Sequence, residues 1–192
     1  TATSTFAGGL NLTSSTGQGF NFGSNTLFYQ NNQRFLTSST TAAGNLTIGY
    51  QSPTSIDSKG GLYNTGLGYQ ALGNATSTSY NTAVGYQALK GSATISNIGY
   101  NTAVGYQALT SNTTGYFNTA NGNYSLFSNT TGYDNAAYGY RSLRYQTTGS
   151  YNTAMGWQAG VGPTNLSDYN SVIDNYMTFI GYQASRDASI AS

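Results

Sequence analysis

The chain has 192 residues, a formal net charge of +1, only 6% charged residues, and no His, Cys or Glu. Ordinary domains carry roughly 25% charged residues. This composition excludes a disulfide framework, thiolate or imidazole metal sites, nucleophile–histidine catalysis, and the basic footprint of a nucleic-acid or anionic-membrane binder. No run approaches the ~18 consecutive apolar residues of a transmembrane helix, so membrane insertion is not expected.

Residues 1–43 hold short apolar and aromatic runs: Phe6 to Leu12, Phe20 to Phe22, Leu27 to Tyr29 and Arg34 to Leu36. Ser, Thr, Gly and Asn separate them. The pattern predicts short strands or hairpins that form a cap or connector, or a strand that adds to a neighbouring molecule's sheet. The sequence begins at Thr1 rather than Met, as expected of a processed or excised piece.

From residue 44 to 192 the chain repeats itself, and Tyr80–Leu89 recurs letter for letter at Tyr100–Leu109. Anchoring on the Gly before each aromatic gives Gly49, Gly68, Gly85, Gly105, Gly122, Gly139, Gly156 and Gly181. The intervals are 19, 17, 20, 17, 17, 17 and 25, so the basic unit is 17 residues with insertions. Two places before the anchor stand mostly small residues, including Ala83, Ala103, Ala120, Ala137 and Ala154. One place before stand mostly large apolar ones: Ile48, Leu67, Val84, Val104, Tyr138, Met155 and Ile180. One place after come Tyr69, Tyr86, Tyr106, Tyr140 and Trp157, and four places after come Leu72, Leu89, Leu109, Leu126 and Leu143.

Small–large alternation reads as a strand with two different faces. The Gly is a bend, the following Gln-Ala-Leu a second short strand, and Asn-Thr-Thr-Gly a turn. Gly, Asn, Thr and Tyr are weak helix formers, and no 3.6-residue stripe runs through the unit. The expected fold is all-β: a parallel β-solenoid of about eight coils that would rise roughly 40 Å at ~4.8 Å per coil. Stacked identical residues make ladders, Ala on Ala and Asn on Asn, which is a physical reason for verbatim copying. An Ala-lined coil has no room for the large apolar column. Leu67, Val84, Val104, Tyr138, Met155 and Ile180 are therefore expected to pack between chains, the other reading being one wider core within a single chain.

The motif Asn81-Thr-Ala-Val-Gly85 and its copy at Asn101–Gly105 resemble the head repeats of trimeric autotransporter adhesins, whose signature reads Asn-Ser-Val-Ala-Ile-Gly. With Gly-Tyr-Gln-Ala-Leu following, they are also similar to repeats of phage tail-fibre and bacterial surface-fibre proteins. The resemblance covers Gly44 to about Ala184. It implies a homotrimeric, left-handed parallel β-roll displayed on a cell surface or virion, extracellular in either case.

Near the C-terminus the period slips over about 160–176, where Pro163, Asp168 and Asp174 lie. A protruding loop is expected there, with Asp168 and Asp174 as candidate surface contacts. Two loop acids do not by themselves make a glycosidase pair or a calcium loop, and no Gly-x-Ser-x-Gly or phosphate-loop motif is present. No enzyme activity, cofactor or metal is expected. The Tyr column (Tyr69, Tyr86, Tyr106, Tyr140, Trp157) reads first as a stacked ladder along the coil edge and second as a sugar-binding strip. Asn11, Asn45, Asn74, Asn112, Asn129 and Asn165 each begin an Asn-x-Ser/Thr triplet. The expected function is a non-enzymatic fibre segment that attaches to a surface glycan or protein receptor. The alternatives are a subunit of a self-polymerising filament and a carbohydrate-binding module.

Overall fold

A computed structural model describes residues 27–30, 33–38, 44–51, 61–75, 77–91, 99–161 and 175–185. Most of the 160–176 insertion, with Asp168 and Asp174, lies outside these residues, as does everything before residue 27. Among the described residues the fold is all-β without helix. An antiparallel hairpin, β1 (Leu27–Gln30) and β2 (Gln33–Ser38), precedes eight three-residue strands. These are β3 (Leu46–Ile48), β4 (Thr65–Leu67), β5 (Thr82–Val84), β6 (Thr102–Val104), β7 (Thr119–Asn121), β8 (Ala136–Tyr138), β9 (Thr153–Met155) and β10 (Thr178–Ile180). They pair in parallel, in chain order, and in the register set by the glycine anchor, so Ala83 meets Ala103 and Val84 meets Val104. This is a β-solenoid. The β2 strand joins β3 antiparallel, with Leu36 opposite Ile48.

Strands β3 to β9 bury their middle residue and leave both neighbours half-buried or exposed, so the small column is the inside of the coil. Ala83, Ala103, Ala120, Ala137 and Ala154 are fully buried. Behind them lie Ala71, Ala88, Ala108 and Ala159, and the Leu column Leu72 to Leu143 completes the core. Each buried Leu stabilises the array by about 1.5–3 kcal/mol. Ser125 and Ser142 enter the core without cost because their hydroxyls donate to Gly122 O at 2.8 Å and Gly139 O at 3.0 Å.

The exceptions in these columns compensate one another. Phe179 takes the inner place held by Ala in the preceding coils, and Gly160 replaces the core Leu beside it. A Cβ on Gly160 would sit 3.1 Å from the Phe179 ring, so the small residue makes room for the large one. Likewise Gly66 replaces the inner Ala where the Thr47 methyl would lie 3.3 Å from an added Cβ.

The segment after the Gly bend differs from expectation. Gln-Ala-Leu is not a second strand but a run of turns. The Gln column (Gln51, Gln70, Gln87, Gln107, Gln158, Gln183) and Leu72, Leu89, Leu109, Leu126 and Leu143 all have φ between +46° and +58°. Neither residue type favours the left-handed region, which costs roughly 1–2 kcal/mol per residue. Pairing between coils offsets that cost: Gln87 N–H donates to Tyr69 O at 2.8 Å, and Leu89 N–H to Ala108 O at 2.9 Å.

Candidate interaction faces

Two internal ladders make the coils rigid enough to carry a surface. Asn45, Asn64, Asn81, Asn101, Asn118, Asn135 and Asn152 stand just before the strands and are buried. Asn81 donates both its backbone N–H and its Nδ2 to Asn64 Oδ1, each at 3.0 Å. Within its own coil Asn118 Nδ2 donates to Gly132 O at 2.8 Å, fourteen residues on, and so ties the start of the coil to its end. At the corner, Gln87 Nε2 donates to Gln70 Oε1 and Gln107 Nε2 to Gln87 Oε1, both at 2.7 Å. Asn112 and Asn129 are fully buried, and their Nδ2 atoms donate to Gly115 O and Gly132 O. Folded coils therefore withhold these two asparagines from glycosylation.

The first outward face is the sheet itself. The large apolar column points away from the Ala-lined interior: Leu67, Val84 and Val104 are half-buried, while Tyr138, Met155 and Ile180 are 40%, 50% and 70% exposed. The one-core reading is therefore not realised in the single chain. Thr65, Thr82, Thr102, Thr119 and Thr153 run parallel to it at the other edge of the same face.

The second face is the Tyr column after the bend. Tyr69, Tyr86 and Tyr106 stack with ring centroids 5.0 Å apart and planes 6–8° from parallel. Trp157 and Tyr182 stack at 4.8 Å. Between them the column is interrupted, because Asn123 stands where an aromatic is expected. There Tyr124, from the Gln column, turns edge-on to Tyr106 at 5.2 Å. Arg141 and Arg144 pack against Tyr124, each with its guanidinium carbon within 6 Å of the ring centroid. Burial, then the adjacent Tyr124 and Tyr86, pushes the Tyr106 hydroxyl above its ordinary pKa.

A third face was not singled out by sequence. Tyr63, Tyr80, Tyr100, Phe117, Tyr151 and Tyr176 stand five places before the anchor, as a second aromatic ladder. Tyr80 and Tyr100 stack at 4.8 Å and 7°, and Tyr151 and Tyr176 at 4.8 Å and 2°. Tyr80, Tyr100, Tyr116 and Phe117, with Ser77, Ser79 and Gly99, line an open depression of about 350 Å³. The signal was available: an aromatic recurs five places before six of the eight anchor glycines.

The tyrosine ladders give a pH dependence. The neighbouring Tyr133 hydroxyl, then burial and the charges of Tyr133, Tyr176 and Asp134, push Tyr151 up to about 12. Its unfolded value is about 10. Between these values the folded chain holds a proton that the unfolded chain has lost, so this contribution is intact below about pH 10 and is lost as pH rises to about 12. We predict that the urea midpoint of Tyr151→Phe falls less steeply than wild type across that window. Equal slopes would remove Tyr151 as the cause.

Among the described residues no group of His, Cys, Asp and Glu could hold a metal, and no helix is long and apolar enough to cross a membrane. No protein-family model, curated protein or solved structure matches the chain.

Proposed function

We propose that the chain is a non-enzymatic segment of an extracellular fibre, assembled as a homotrimer and presenting its coil edges to a surface receptor. The outward apolar column carries this reading. Val84, Val104, Tyr138, Met155 and Ile180 share one column along a sheet face, which Asn121 alone interrupts between Val104 and Tyr138. Stacked coils keep that strip straight, and a second and third copy of the same strip are its natural complement. The resemblance to trimeric adhesin heads supports the same arrangement, including a left-handed coil. The β1–β2 hairpin would then cap the array or connect it to a preceding module.

In the filament alternative, the β3 edge is already paired with β2 of its own chain, so a strand donated by a neighbouring molecule would add at the β10 edge, which among the described residues pairs only with β9. Light scattering after size exclusion tests the reading directly. We expect three times the 20.2 kDa chain mass, and a monomer at micromolar concentration would remove the trimer. The double variant Val84→Lys/Val104→Lys should dissociate the assembly while retaining the β signal, because it buries two charges in each interface copy. An unchanged mass would show that the strip is not the interface.

A further inference from the structure

We propose that Arg141 and Arg144, set among Tyr124, Phe127, Tyr140 and Tyr145, form a binding site for a carboxylate-bearing saccharide. This names a ligand class for the attachment role proposed above, and it does not depend on the oligomeric state.

Sequence economy is the first observation. The chain has six basic residues in 192, yet two of them stand three places apart on one coil. Both replace residues that are neutral in the adjoining coils: Arg141 stands in the Gln column, and Arg144 where Phe127 and Val161 stand in the coils on either side, with Thr110 and Lys90 in the same column further back. They enter where the outer Tyr stack is broken by Asn123.

Geometry is the second. The Arg141 guanidinium carbon lies 4.9 Å from the Tyr140 ring centroid and 5.9 Å from that of Tyr124. That of Arg144 lies 4.9 Å from Tyr124, 5.6 Å from Phe127 and 5.0 Å from Tyr145. Aromatic faces pack against both cations. Both Nε atoms are enclosed without a hydrogen-bond partner, and among the described residues neither guanidinium has a carboxylate against it. Asp134 is the one acid among the described residues, and it stands five places before its anchor glycine in the Tyr100–Phe117 column rather than in the column of Arg141. Two like charges thus share the Tyr124 ring with no counter-ion among the described residues.

Chemistry selects the ligand. A guanidinium fork matches a carboxylate in two parallel hydrogen bonds, and an anion also relieves the repulsion between the two cations. Aromatic rings beside the fork offer apolar surface to the C–H faces of a sugar ring, and exposed Asn123, whose Oδ1 accepts from Tyr106 N–H at 2.9 Å, offers its Nδ2 as a donor to hydroxyls. Two charges on a chain of net charge +1 give too little counterion release for a nucleic acid. A single uronic-acid type unit, part anion and part polyol, uses both halves of the site.

Saturation-transfer NMR and titration calorimetry on the full chain test this with three probes: tetragalacturonate, its fully methyl-esterified form, and tripolyphosphate. We expect saturation transfer to the ring protons of tetragalacturonate, weakened by salt, and about tenfold weaker binding of the ester, which loses the charge-assisted bonds. Arg141→Gln and Arg144→Thr restore residues that the same columns hold elsewhere, so they should fold and melt like wild type. Each should weaken binding, and the pair should abolish it. Arg144→Lys keeps the charge without the fork and should fall between. Equal binding of acid and ester, tighter binding of tripolyphosphate than of tetragalacturonate, undiminished binding by the double variant, or no binding by wild type would each overturn the proposal. Loss of binding in a trimer-preserving variant separates this site from the assembly strip.

Discussion

Gly122→Ala is expected to lower the stability of the array by about 4 kcal/mol or more, which for a chain of this size lowers Tm by about 10 °C or more. Two effects add. Gly122 has φ +146°, where an L side chain is strained by about 1–3 kcal/mol. A Cβ there would also approach Gly139 C to 2.5 Å and Gly139 O still more closely. Those atoms are backbone of the next coil, hydrogen-bonded in turn through Gly139 N–H to Asn121 O at 2.8 Å. They cannot move without opening the ladder. Gly181→Ala separates the two effects. It has φ +120°, yet among the described residues nothing lies within 4 Å of an added Cβ. That variant should cost only the backbone strain, so its Tm should fall by a few degrees, at about 2–4 °C per kcal/mol. Calorimetric melting of the two variants side by side is the measurement. Equal losses would mean that backbone conformation alone requires the glycines and that coil-to-coil contact adds nothing.

The glycine column was legible in sequence because only one residue type can do its work, so the column is invariant over eight units. The inner Ala column, the core Leu column and the outward apolar column were legible for a similar reason. Each must match the coil above and below, and Val84 on Val104 repeats because the register repeats. The stacked Tyr69–Tyr86–Tyr106 ladder followed from the same logic. The Gln-Ala-Leu segment was misread because Gln87 and Leu89 carry no local signal for a left-handed backbone. Tertiary pairing imposes it, through carbonyls that belong to the neighbouring coils, Tyr69 O and Ala108 O. Phe179 breaks the small column. Only the fold shows that Gly160, nineteen places earlier, is the other half of that exchange. The Arg141–Arg144 cluster was invisible for a related reason. Its aromatic partners come from different columns and different coils, and no period connects Tyr124 to Arg144.

The buried Asn ladder carries the other large expected effect. Asn118→Ala should destabilise the chain by about 2–4 kcal/mol, because an orphaned buried polar group costs about 1–3 kcal/mol and the vacated side-chain volume adds to the loss. Asn118 Nδ2 donates to Gly132 O at 2.8 Å, and its Oδ1 accepts from Asn135 N–H at 3.1 Å and Asn135 Nδ2 at 3.0 Å. Alanine leaves the buried Asn135 N–H without this partner, while Gly132 O keeps the Asn129 Nδ2 donor at 3.1 Å. Asn135 Nδ2 fares better, since it also donates to Gly149 O at 2.9 Å. Asn118→Asp is the sharper variant. It keeps the shape and the acceptor, but turns the Gly132 donor into a second acceptor and buries a charge. Burial disfavours the ionised carboxyl, so the folded chain holds this proton to higher pH than the unfolded chain does. Stability then depends on pH with a definite sign: the variant is most stable below the unfolded carboxyl value of about 3.9 and loses stability as pH rises through its folded value. The protonated carboxyl can donate to Gly132 O as the amide did. Asn118→Asp should therefore approach wild type in urea titrations near pH 4 and fall well below it at pH 7, whereas the deficit of Asn118→Ala should stay constant. A pH-independent deficit in both would show that the Asn column contributes shape alone. The opposite result would show that these coils are closed by a directional hydrogen-bond chain running through the protein interior, as the Asn-to-Asn and Asn-to-carbonyl distances imply.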